Sequence, residues 1–437
     1  MRRLLLPAAL VAIVALAAPA HAGRLEQASV SSRERPGNDM SFLPDVSADG
    51  RKVVFQTLAD NLARKGKGHV LLRDVRKGTT RIVSRNSRGK LANKGAYWIR
   101  ISPNGRFVAW CSMSTNLAKP DRFRELYPFE KMERFVDVFV RDLRRGITRR
   151  ASTTHDGKMA DDYSSNPHVA NDGDVVFDSR AGNLVRRDRD RWPDTFLYDW
   201  ARRSIRMVSV DRKGRPVPAA TIATGFSGDS RVITFYGPPE LFVGKDPADV
   251  PQTMLYRRGR GRITHLREPK GIGDEGSCTS HHAQEQLSRT GRFVVIGCWH
   301  RWSDPEQGTI YGANHLYRYD RHKRSFRQLT PLSLHESSAS HVYGWEVDAT
   351  GRYVSWCTDN TYSEHEKGYA DFFVRDVRRR RPQRVVDHEW QSADGICSTA
   401  LAAGGRSVVF ATNYPLVAKD RNDDMDVYLS KAPFYPG

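Results

Sequence analysis

The stretch PDVSADGRKVVFQT at 44–57 decides the fold, because the same pattern recurs six more times along the chain. Each copy joins a short strand to a strand rich in β-branched and aromatic residues through a turn of Asp-Gly or Asn-Gly type. The turn glycine supplies the positive φ that a tight hairpin demands. The other copies are IRISPNGRFVAWCS (99–112), PHVANDGDVVFDS (167–179), GFSGDSRVITFYG (225–237), EQLSRTGRFVVIGCW (285–299), WEVDATGRYVSWCT (345–358) and ALAAGGRSVVFAT (400–412).

A second hairpin follows each copy, for example HVLLRDVRKGTTRIVS at 69–84 and DVFVRDLRRGITRRAS at 137–152. Each repeat therefore carries four antiparallel strands. A unit of four strands that repeats radially is the blade of a propeller. We predict an all-β fold, a seven-bladed β-propeller of four-stranded antiparallel blades.

The two ends of the chain complement each other. The last repeat stops after its third strand, DVYLSKAP at 426–433, whereas GRLEQASVSS at 23–32 matches the pattern of a fourth strand with its trailing serine. An amino-terminal strand that completes the last blade closes the ring and removes its open sheet edges. We therefore expect the strand near 25–31 to pair with 426–430.

The S-x-D-G-R-x-V-x-F and D-V-F-V-R-D-L-x-x-G-x-T-R signatures resemble the TolB-like, WD-like (PD-type) propeller repeats of periplasmic and secreted bacterial proteins. The resemblance covers nearly all of the chain after residue 22 and implies the propeller fold. Such repeats serve as partner-binding platforms, as gating domains of peptidases and occasionally as lyases, so the resemblance leaves the function open. No room remains for the additional amino-terminal α/β domain that TolB itself carries.

The amino end has the three-part layout of a secretory signal peptide. Two arginines precede an apolar run at 4–18, and Ala-His-Ala follows at 20–22. The run is shorter than the roughly 20 residues that span a bilayer. We expect a signal peptide at 1–22, a single β-propeller domain at 23–437 and no transmembrane segment. The protein is then secreted or held in the periplasm or cell envelope.

The chain is strongly basic, with a formal net charge of +20. Many of its arginines fall in the turns between third and fourth strands, around the circumference, and no nucleic-acid-binding motif accompanies them. We expect no specific nucleic acid partner. An envelope or extracellular protein, peptide or glycan, or an anionic cell-surface polymer, fits an exported basic protein better. We also expect a monomer.

Residues that recur in every blade are best explained as structural, including the Arg-Asp pairs such as Arg141-Asp142 and the N-L-A/V-x-x-D motif at 183–188. Side chains that break the repeat are the better candidates for function. The starts of first strands, the ends of second strands and the loops between second and third strands share one face of a propeller. The candidates for ligand binding at that face are Trp98, His168, His281, His282, Trp299, His300, Trp302, His341, Tyr343 and Trp345.

Such a rim could stack on sugar rings or clamp peptide side chains, because aromatic rings are amphipathic and have few rotamers to freeze. The principal interpretation is a non-catalytic binding platform for a protein, peptide or glycan. A competing interpretation is that the tryptophans pack between blades. The sequence leaves both open.

An enzymatic alternative rests on four histidines, His281, His282, His300 and His341, which could hold a transition metal at the channel mouth. By architecture and residue type, a metal-assisted polysaccharide lyase or hydrolase is the second hypothesis. A serine peptidase is disfavoured because Gly-x-Ser-x-Gly is missing. A sialidase is disfavoured because the turn SADG at 47–50 lacks the spacing and the Trp of sialidase repeats.

No cofactor is expected, with calcium as a minor alternative. Asp420, Asn422, Asp424 and Asp426 alternate like the start of a hard-cation loop, although Met425 and Lys431 depart from that pattern. The run DRDRWPD at 188–194 is a weaker version of it.

Five cysteines in an exported chain permit one or two disulfides. Cys111, Cys298 and Cys357 end second strands, Cys278 lies just ahead of the fifth first strand, and Cys397 lies at the start of the seventh. Strand counting allows Cys278–Cys298 and Cys357–Cys397 and leaves Cys111 free. The alternative is that all five are small buried apolar residues.

Overall fold

The computed structural model describes residues 25–63, 68–118, 136–244, 252–266, 269, 287–303, 310–330, 341–360, 369–379, 382–385, 399–422 and 424–431. Its strands form seven antiparallel sheets, which are the blades of a propeller. The predicted all-β, seven-bladed fold is therefore confirmed. The signal peptide predicted at 1–22 lies outside the described residues.

The first four blades each contain four strands in chain order. The amino-terminal strand Leu25–Gln27 is β1 and belongs to blade 7. The strands of blades 1 to 4 are β2 (Ser41–Val46), β3 (Lys52–Thr57), β4 (His69–Asp74) and β5 (Thr79–Ile82); β6 (Ala96–Ile101), β7 (Phe107–Ser112), β8 (Asp137–Asp142) and β9 (Ile147–Arg150); β10 (Ser164–Val169), β11 (Val175–Ser179), β12 (Asp194–Asp199) and β13 (Ser204–Met207); β14 (Ile222–Phe226), β15 (Val232–Gly237), β16 (Gln252–Arg257) and β17 (Arg262–His265).

 Blade 1 thus comprises β2 to β5, and each later blade continues the numbering.

Blades 5 to 7 complete the ring. Their strands are β18 (Phe293–Ser303), β19 (Ile310–Asp320) and β20 (Ser325–Gln328); β21 (His341–Val347), β22 (Tyr353–Asn360), β23 (Tyr369–Asp376) and β24 (Gln383–Arg384); β25 (Thr399–Leu401), β26 (Ser407–Thr412) and β27 (Asp426–Lys431). In blade 5 the described part of the first strand makes a single bridge, Leu287 to Val294. A short helix α1 (Pro239–Val243) follows β15.

The amino-terminal strand β1 closes the ring in the predicted way. It is the outer strand of blade 7, in the sheet order β1-β27-β26-β25. Leu25 pairs with Ser430 and Gln27 with Tyr428, antiparallel. The backbone N–H of Ala28 continues the pairing by donating to the carbonyl of Val427 at 2.7 Å. The sheet edge that β27 would otherwise expose is covered.

The repeated turns have the predicted left-handed residue. Gly50, Gly105 and Gly351 have φ values of 70°, 65° and 72°. A side chain is strained in this region, which is why glycine recurs there. Blade 4 replaces the glycine by Ser230, whose φ is 56°.

These turns form an unbroken ring of hydrogen bonds between neighbouring blades. The N–H of Ala48 in blade 1 donates to the carbonyl of Pro103 in blade 2 at 2.8 Å, and Ala403 of blade 7 donates to Ala48 at 2.9 Å. The remaining contacts are Asn104 to Asn171, Asn171 to Gly228, Asp229 to Arg289, Arg289 to Ala349, and Gly404 to Asp348. Every adjacent pair of blades is joined in this way.

Hydrophobic packing follows the same division. Each of seven clusters of buried apolar side chains combines residues of two adjacent blades. The cluster between blades 7 and 1, for example, contains Val53 and Phe55 together with Val409 and Leu429. The core is thus a circle of interfaces, and each blade buries both faces of its sheet.

The recurring Arg-Asp pairs lie on third strands, and their arginines join neighbouring blades. Arg141 of blade 2 donates through Nη1 to the carbonyls of Arg85 and Asn86, at 3.1 and 3.2 Å, in the segment that leaves blade 1. Arg73 makes the equivalent bond to Ser31 at 3.3 Å, and Arg375 binds the carbonyl of Leu329. Asp142 is held by Arg106 at 2.7 Å. The structural interpretation of this motif agrees with these contacts.

Two of the five cysteines are disulfide-bonded in the described part of the chain, namely Cys298 and Cys357. Cys111 is free and buried, as predicted. The proposed partners Cys278 and Cys397 lie outside the described residues, so the pairing itself stays a prediction. No helix among the described residues is long and apolar enough to cross a membrane.

Candidate functional site

The propeller axis is almost closed. The cavity there has a volume of about 60 Å³ and is lined by residues of all seven blades. Two carboxylates of first strands are used to hold the neighbouring strand: Asp45 accepts the N–H of Ile101 at 2.7 Å, and Glu346 accepts that of Leu401 at 3.1 Å. Between the described residues of the first strands, the axis therefore has room for only a few water molecules.

A much larger depression lies off the axis, across blades 2, 3 and 4. Its volume is about 960 Å³, in the size range of ligand sites. It lies at the face where first strands begin and second strands end, as the repeat pattern predicts for a rim. The residues that line it and enter the argument below are Trp98, Asp162, Tyr163, Asn166, Asp178, Arg180, Arg191, Pro193, Ile222 and Thr224. We call this depression the blade 2–4 pocket.

Exposed apolar side chains concentrate at this pocket. Five large hydrophobic side chains are exposed in the described part of the chain: Met40, Trp98, Trp192, Ile222 and Tyr414. Trp98 and Ile222, which are 43% and 38% exposed, line the pocket. Trp192, which is 52% exposed, lies in the sequence between the lining residues Arg191 and Pro193. Apolar groups gathered in this way mark interaction sites more often than single exposed residues do.

A β-bulge positions Trp98. The pairing of β6 with β7 shifts between Tyr97 and Arg100, and Trp98 has a φ of 44°. Strict alternation from the buried Ala96 would also bury Trp98. The bulge shifts the alternation by one residue, so Trp98 is exposed and the next residue, Ile99, is buried. The Trp98 ring stands edge-on to Tyr163 of blade 3, with centroids 6.2 Å apart and an interplanar angle of 82°.

A buried carboxyl group, Asp178, lies at the floor of the pocket. It accepts hydrogen bonds from the Asn166 amide at 2.9 Å and from the Ala223 N–H at 2.7 Å. Burial raises the pKa of Asp178 to about 8, and the hydrogen bonds offset part of that rise. At neutral pH this floor is polar and largely uncharged.

The walls of the pocket carry opposite charges with a net positive balance. Arg191 pairs with Asp162 at 2.8 Å and keeps most of its side chain in solvent. Arg180 is exposed, and its backbone N–H donates to the carbonyl of Tyr163 at 2.9 Å. With Asp178 protonated, two guanidinium groups face one carboxylate. The pocket thus offers aromatic rings, amide and carboxyl oxygens, and a free positive charge.

Of the predicted rim residues with described side chains, Trp98 alone lines this pocket. His168 and Trp345 are buried. Trp345 packs in the cluster between blades 5 and 6, against Gly297, where a Cβ atom would lie 2.5 Å from the indole ring. The alternative that tryptophans pack between blades therefore describes Trp345. We leave both residues out of the proposed surface.

The other predicted rim residues are placed only in part. His281 and His282 lie outside the described residues. Trp299, His300 and Trp302 lie on β18, and His341 and Tyr343 on β21, where the backbone alone is described. The proposed transition-metal site at these histidines, and the lyase or hydrolase that depends on it, stay predictions.

The acidic residues proposed for calcium in blade 7 have partners within the blade. Asp420 accepts the Tyr428 hydroxyl, and Asp426 accepts the Ser29 hydroxyl of the closing strand. The Asn422 amide donates to the carbonyl of Gly37 at 3.0 Å. The backbone N–H of Asp424 donates to Asn422 at 3.2 Å. In the described part of the chain, three acidic ligands converge instead at Asp188, Asp190 and Asp194 of blade 3.

Sequence reasoning missed most of the blade 2–4 pocket, including Tyr163, Asp178, Arg180 and Arg191. A usable signal existed for Asp178. Strand register makes it equivalent to Gln56, Cys111 and Cys357 of other blades, where no charged group occurs. A carboxylate at a position that is otherwise uncharged breaks the repeat and is a candidate for function.

No protein-family model matches the sequence, and no curated protein matches it significantly. Solved propellers match its structure. The β-propeller domain of the Trilobed protease from Pyrococcus furiosus is 13% identical, with a TM-score of 0.49 over 86% of this chain and 90% of that one. A putative TolB from Agrobacterium tumefaciens is 12% identical, with a TM-score of 0.43 over 91% of this chain and 100% of that one.

A GH74 xyloglucanase from Xanthomonas campestris is 10% identical, with a TM-score of 0.46 over 89% of this chain and 52% of that one. Likeness at this level concerns architecture and carries nothing about activity. The strand pairing of the chain makes it a seven-bladed β-propeller, and its repeats are consistent with the TolB-like propeller family.

Proposed function

We propose that the protein is an exported, non-catalytic binding protein that takes a glycan in the blade 2–4 pocket. The observation that carries the proposal is the exposed Trp98 edge-on to Tyr163 at an open cavity of about 960 Å³. Export is inferred from the amino-terminal sequence, with its basic, apolar and Ala-His-Ala segments.

Aromatic rings and polar groups alternate around the pocket in a way that suits a sugar. A pyranose ring presents an apolar face to an indole and a rim of hydroxyl groups to hydrogen-bonding partners. Trp98 supplies the ring, the Asp162 carboxylate supplies acceptors, and the Arg180 and Arg191 guanidinium groups supply donors. Rigid aromatic contact area costs little conformational entropy when a ligand binds.

The charge of the pocket favours a glycan that carries carboxylate groups. Arg191 shares its charge with Asp162, whereas Arg180 adds a further exposed guanidinium. Guanidinium groups bind carboxylates in a bidentate manner. The net charge of +20 would also attract a polyanionic glycan to the protein at long range.

A glycan array that contains neutral and uronic-acid oligosaccharides, with a peptide array beside it, tests the proposal. Titration calorimetry of the best hit then compares the wild type with Trp98→Ala and Tyr414→Ala. Trp98→Ala should weaken binding at least about tenfold, because a central aromatic contact contributes most of the affinity of such a site. Tyr414 is the matched control, since it is 44% exposed, against 43% for Trp98, and does not line the pocket.

Equal affinity of the two variants would contradict the assignment of the pocket. Hits confined to peptides would contradict the choice of a glycan. Turnover of a hit by the purified protein would contradict the non-catalytic role.

A further inference from the structure

Three carboxylates converge in the loop between β11 and β12. Asp188, Asp190 and Asp194 each place an oxygen within 4.8 Å of the others. Asp188 is 4% exposed and Asp194 is fully buried, while Asp190 is partly exposed. Like charges this close repel strongly in a site from which water is excluded.

Two of the buried oxygens have no hydrogen-bond partner among the described residues. They are Oδ1 of Asp188 and Oδ2 of Asp194. The other oxygen of Asp194 accepts the Ser209 hydroxyl at 2.6 Å, and Asp190 accepts the N–H of Trp192 at 3.0 Å. A buried carboxylate oxygen without a partner is costly, so two of them in one acidic cluster indicate a missing positive group.

Blade 2 contains such a positive group next to the aspartate that is equivalent to Asp194. Asp137 begins β8 as Asp194 begins β12, and it accepts the Ser152 hydroxyl at 2.7 Å. Its second oxygen is paired with the buried Arg150 at 3.0 Å. One carboxylate is thus balanced by one guanidinium.

Blade 3 lacks that arginine and adds two acids. Register makes Met207 the equivalent of Arg150, because Met207 pairs with Phe196 as Arg150 pairs with Phe139. A thioether carries no charge. Instead, Asp188 and Asp190 place further carboxylates near Asp194.

Two neighbouring arginines are engaged elsewhere. Arg191 pairs with Asp162, and Arg187 donates to the carbonyl of Gly214 at 3.4 Å. Burial and the neighbouring acidic charges raise the pKa of Asp188 to about 6 and that of Asp194 to about 8.

We propose that Asp188, Asp190 and Asp194 bind one calcium ion. All three are hard oxygen ligands, and calcium accepts six to eight oxygens at about 2.3–2.6 Å. Two oxygens bound to one such ion lie at most about 4.8 Å apart, and the three ligand oxygens of this cluster all lie within 4.8 Å of one another. Magnesium requires shorter bonds and a stricter octahedral geometry, so it fits this cluster less well. The remaining calcium ligands can be water molecules, because Asp190 is partly exposed.

The ion would fix one wall of the blade 2–4 pocket. Arg191 and Pro193, which line the pocket, lie between the ligands Asp190 and Asp194. The calcium site itself is independent of what the pocket binds, because its three protein ligands all belong to blade 3 and none of them lines the pocket.

Titration calorimetry with calcium chloride and with magnesium chloride, after removal of metal by EDTA, tests the proposal on the purified protein. We expect one equivalent of calcium to bind more tightly than magnesium. Saturating calcium should raise the Tm by about 3–5 °C. Asp190→Asn, at a partly exposed position, should fold and bind calcium at least about tenfold more weakly. Asp424→Asn, in the acidic loop of blade 7, should bind as the wild type does.

Met207→Arg gives the sharpest test, because it recreates the arrangement of blade 2. The new guanidinium should raise the Tm measured in EDTA and abolish the calcium-dependent rise. The proposal is overturned if calcium produces neither heat nor a Tm shift, if magnesium binds more tightly, or if Asp190→Asn titrates like the wild type. Loss of binding in Asp424→Asn but not in Asp190→Asn would also overturn it.

Discussion

Two tryptophans of first strands show how one position decides between ligand binding and packing. Trp98 occupies the left-handed bulge residue of blade 2, and Trp345 follows the equivalent residue Gly344 of blade 6. One step along the strand turns an exposed side chain into a buried one, because Trp345 takes the core position of Ile99. Residue type alone therefore does not identify the rim.

Trp345→Ala should destabilise the fold instead of weakening ligand capture. Removal of a buried indole from the interface of blades 5 and 6 leaves a cavity and should cost about 3–5 kcal/mol. Trp98→Ala should change the free energy of unfolding by less than about 1 kcal/mol, since Trp98 is exposed. Urea unfolding followed by fluorescence and circular dichroism compares the two. A Trp345→Ala protein as stable as the wild type would contradict the packing role.

Asp178 should make stability depend on pH in a defined direction. Its folded pKa of about 8 lies above the unfolded value near 3.9, so the folded state binds one more proton between these values. The free energy of unfolding should therefore fall as pH rises through this window, by up to about 1.4 kcal/mol per pH unit from this group.

Asp178→Asn removes that contribution. Between about pH 5 and pH 7, which lie inside the window of about 4 to 8, the free energy of unfolding of this variant should fall less steeply with pH than that of the wild type. Urea unfolding at several pH values in a metal-free buffer measures the slopes. Asp161→Asn changes an exposed carboxylate of the same blade and is the control. Equal slopes for the wild type and Asp178→Asn would contradict the raised pKa.

At the scale of elements, the third strand of a blade contributes to the neighbouring blade as well as to its own sheet. Arg141 on β8 binds two carbonyls of the segment that follows β5. Burial and the charges of Arg85 and Arg81 lower the pKa of Arg141 to about 10, so the side chain remains charged at neutral pH. The motif that recurs in the sequence is thus a connection between blades.

Arg141→Met should cost about 2–3 kcal/mol, because the carbonyls of Arg85 and Asn86 lose a charged donor while the apolar stem is retained. Arg144→Met changes an exposed arginine in the following turn and should have an effect below about 0.5 kcal/mol. Chemical unfolding of both variants measures the difference. Similar midpoints would show that the motif does not hold the blades together.

At the scale of the whole molecule, three kinds of contact close the ring. Strand β1 completes blade 7, the turns form a circle of hydrogen bonds, and an apolar cluster fills each blade interface. The narrow axis follows from this tight circle. Binding is therefore expected at the rim between blades and not through the centre.

Deletion of residues 23–32 should lower stability by several kcal/mol or cause aggregation. It removes β1 and the Ser29 hydroxyl that Asp426 accepts, and it exposes the edge of β27. Ser29→Ala removes only the hydroxyl and should have a smaller effect, about 1–2 kcal/mol. Thermal unfolding and size-exclusion chromatography compare the variants. A deletion variant that melts like the full-length protein would contradict closure through the amino-terminal strand.

The sequence alone determined the blade count, the hairpin turns and the closure, because each is written in local patterns that repeat: a strand period of two, a turn glycine such as Gly50, and a fourth-strand match at 23–32. It also indicated that the Arg-Asp pairs are structural. Alignment of the repeats could have placed Trp345 at the core position of Ile99.

Tertiary structure alone decided where the pocket and the proposed calcium site lie. Trp98, Asp162 and Ile222 come from three blades, and their proximity depends on the angle between blades and on bulges that re-aim single side chains. The unbalanced charge at Asp194 depends on Met207, a residue of the next strand that matters only through its register. Local patterns fix strands and turns, whereas a site depends on distances between segments that the chain brings together only when the ring closes.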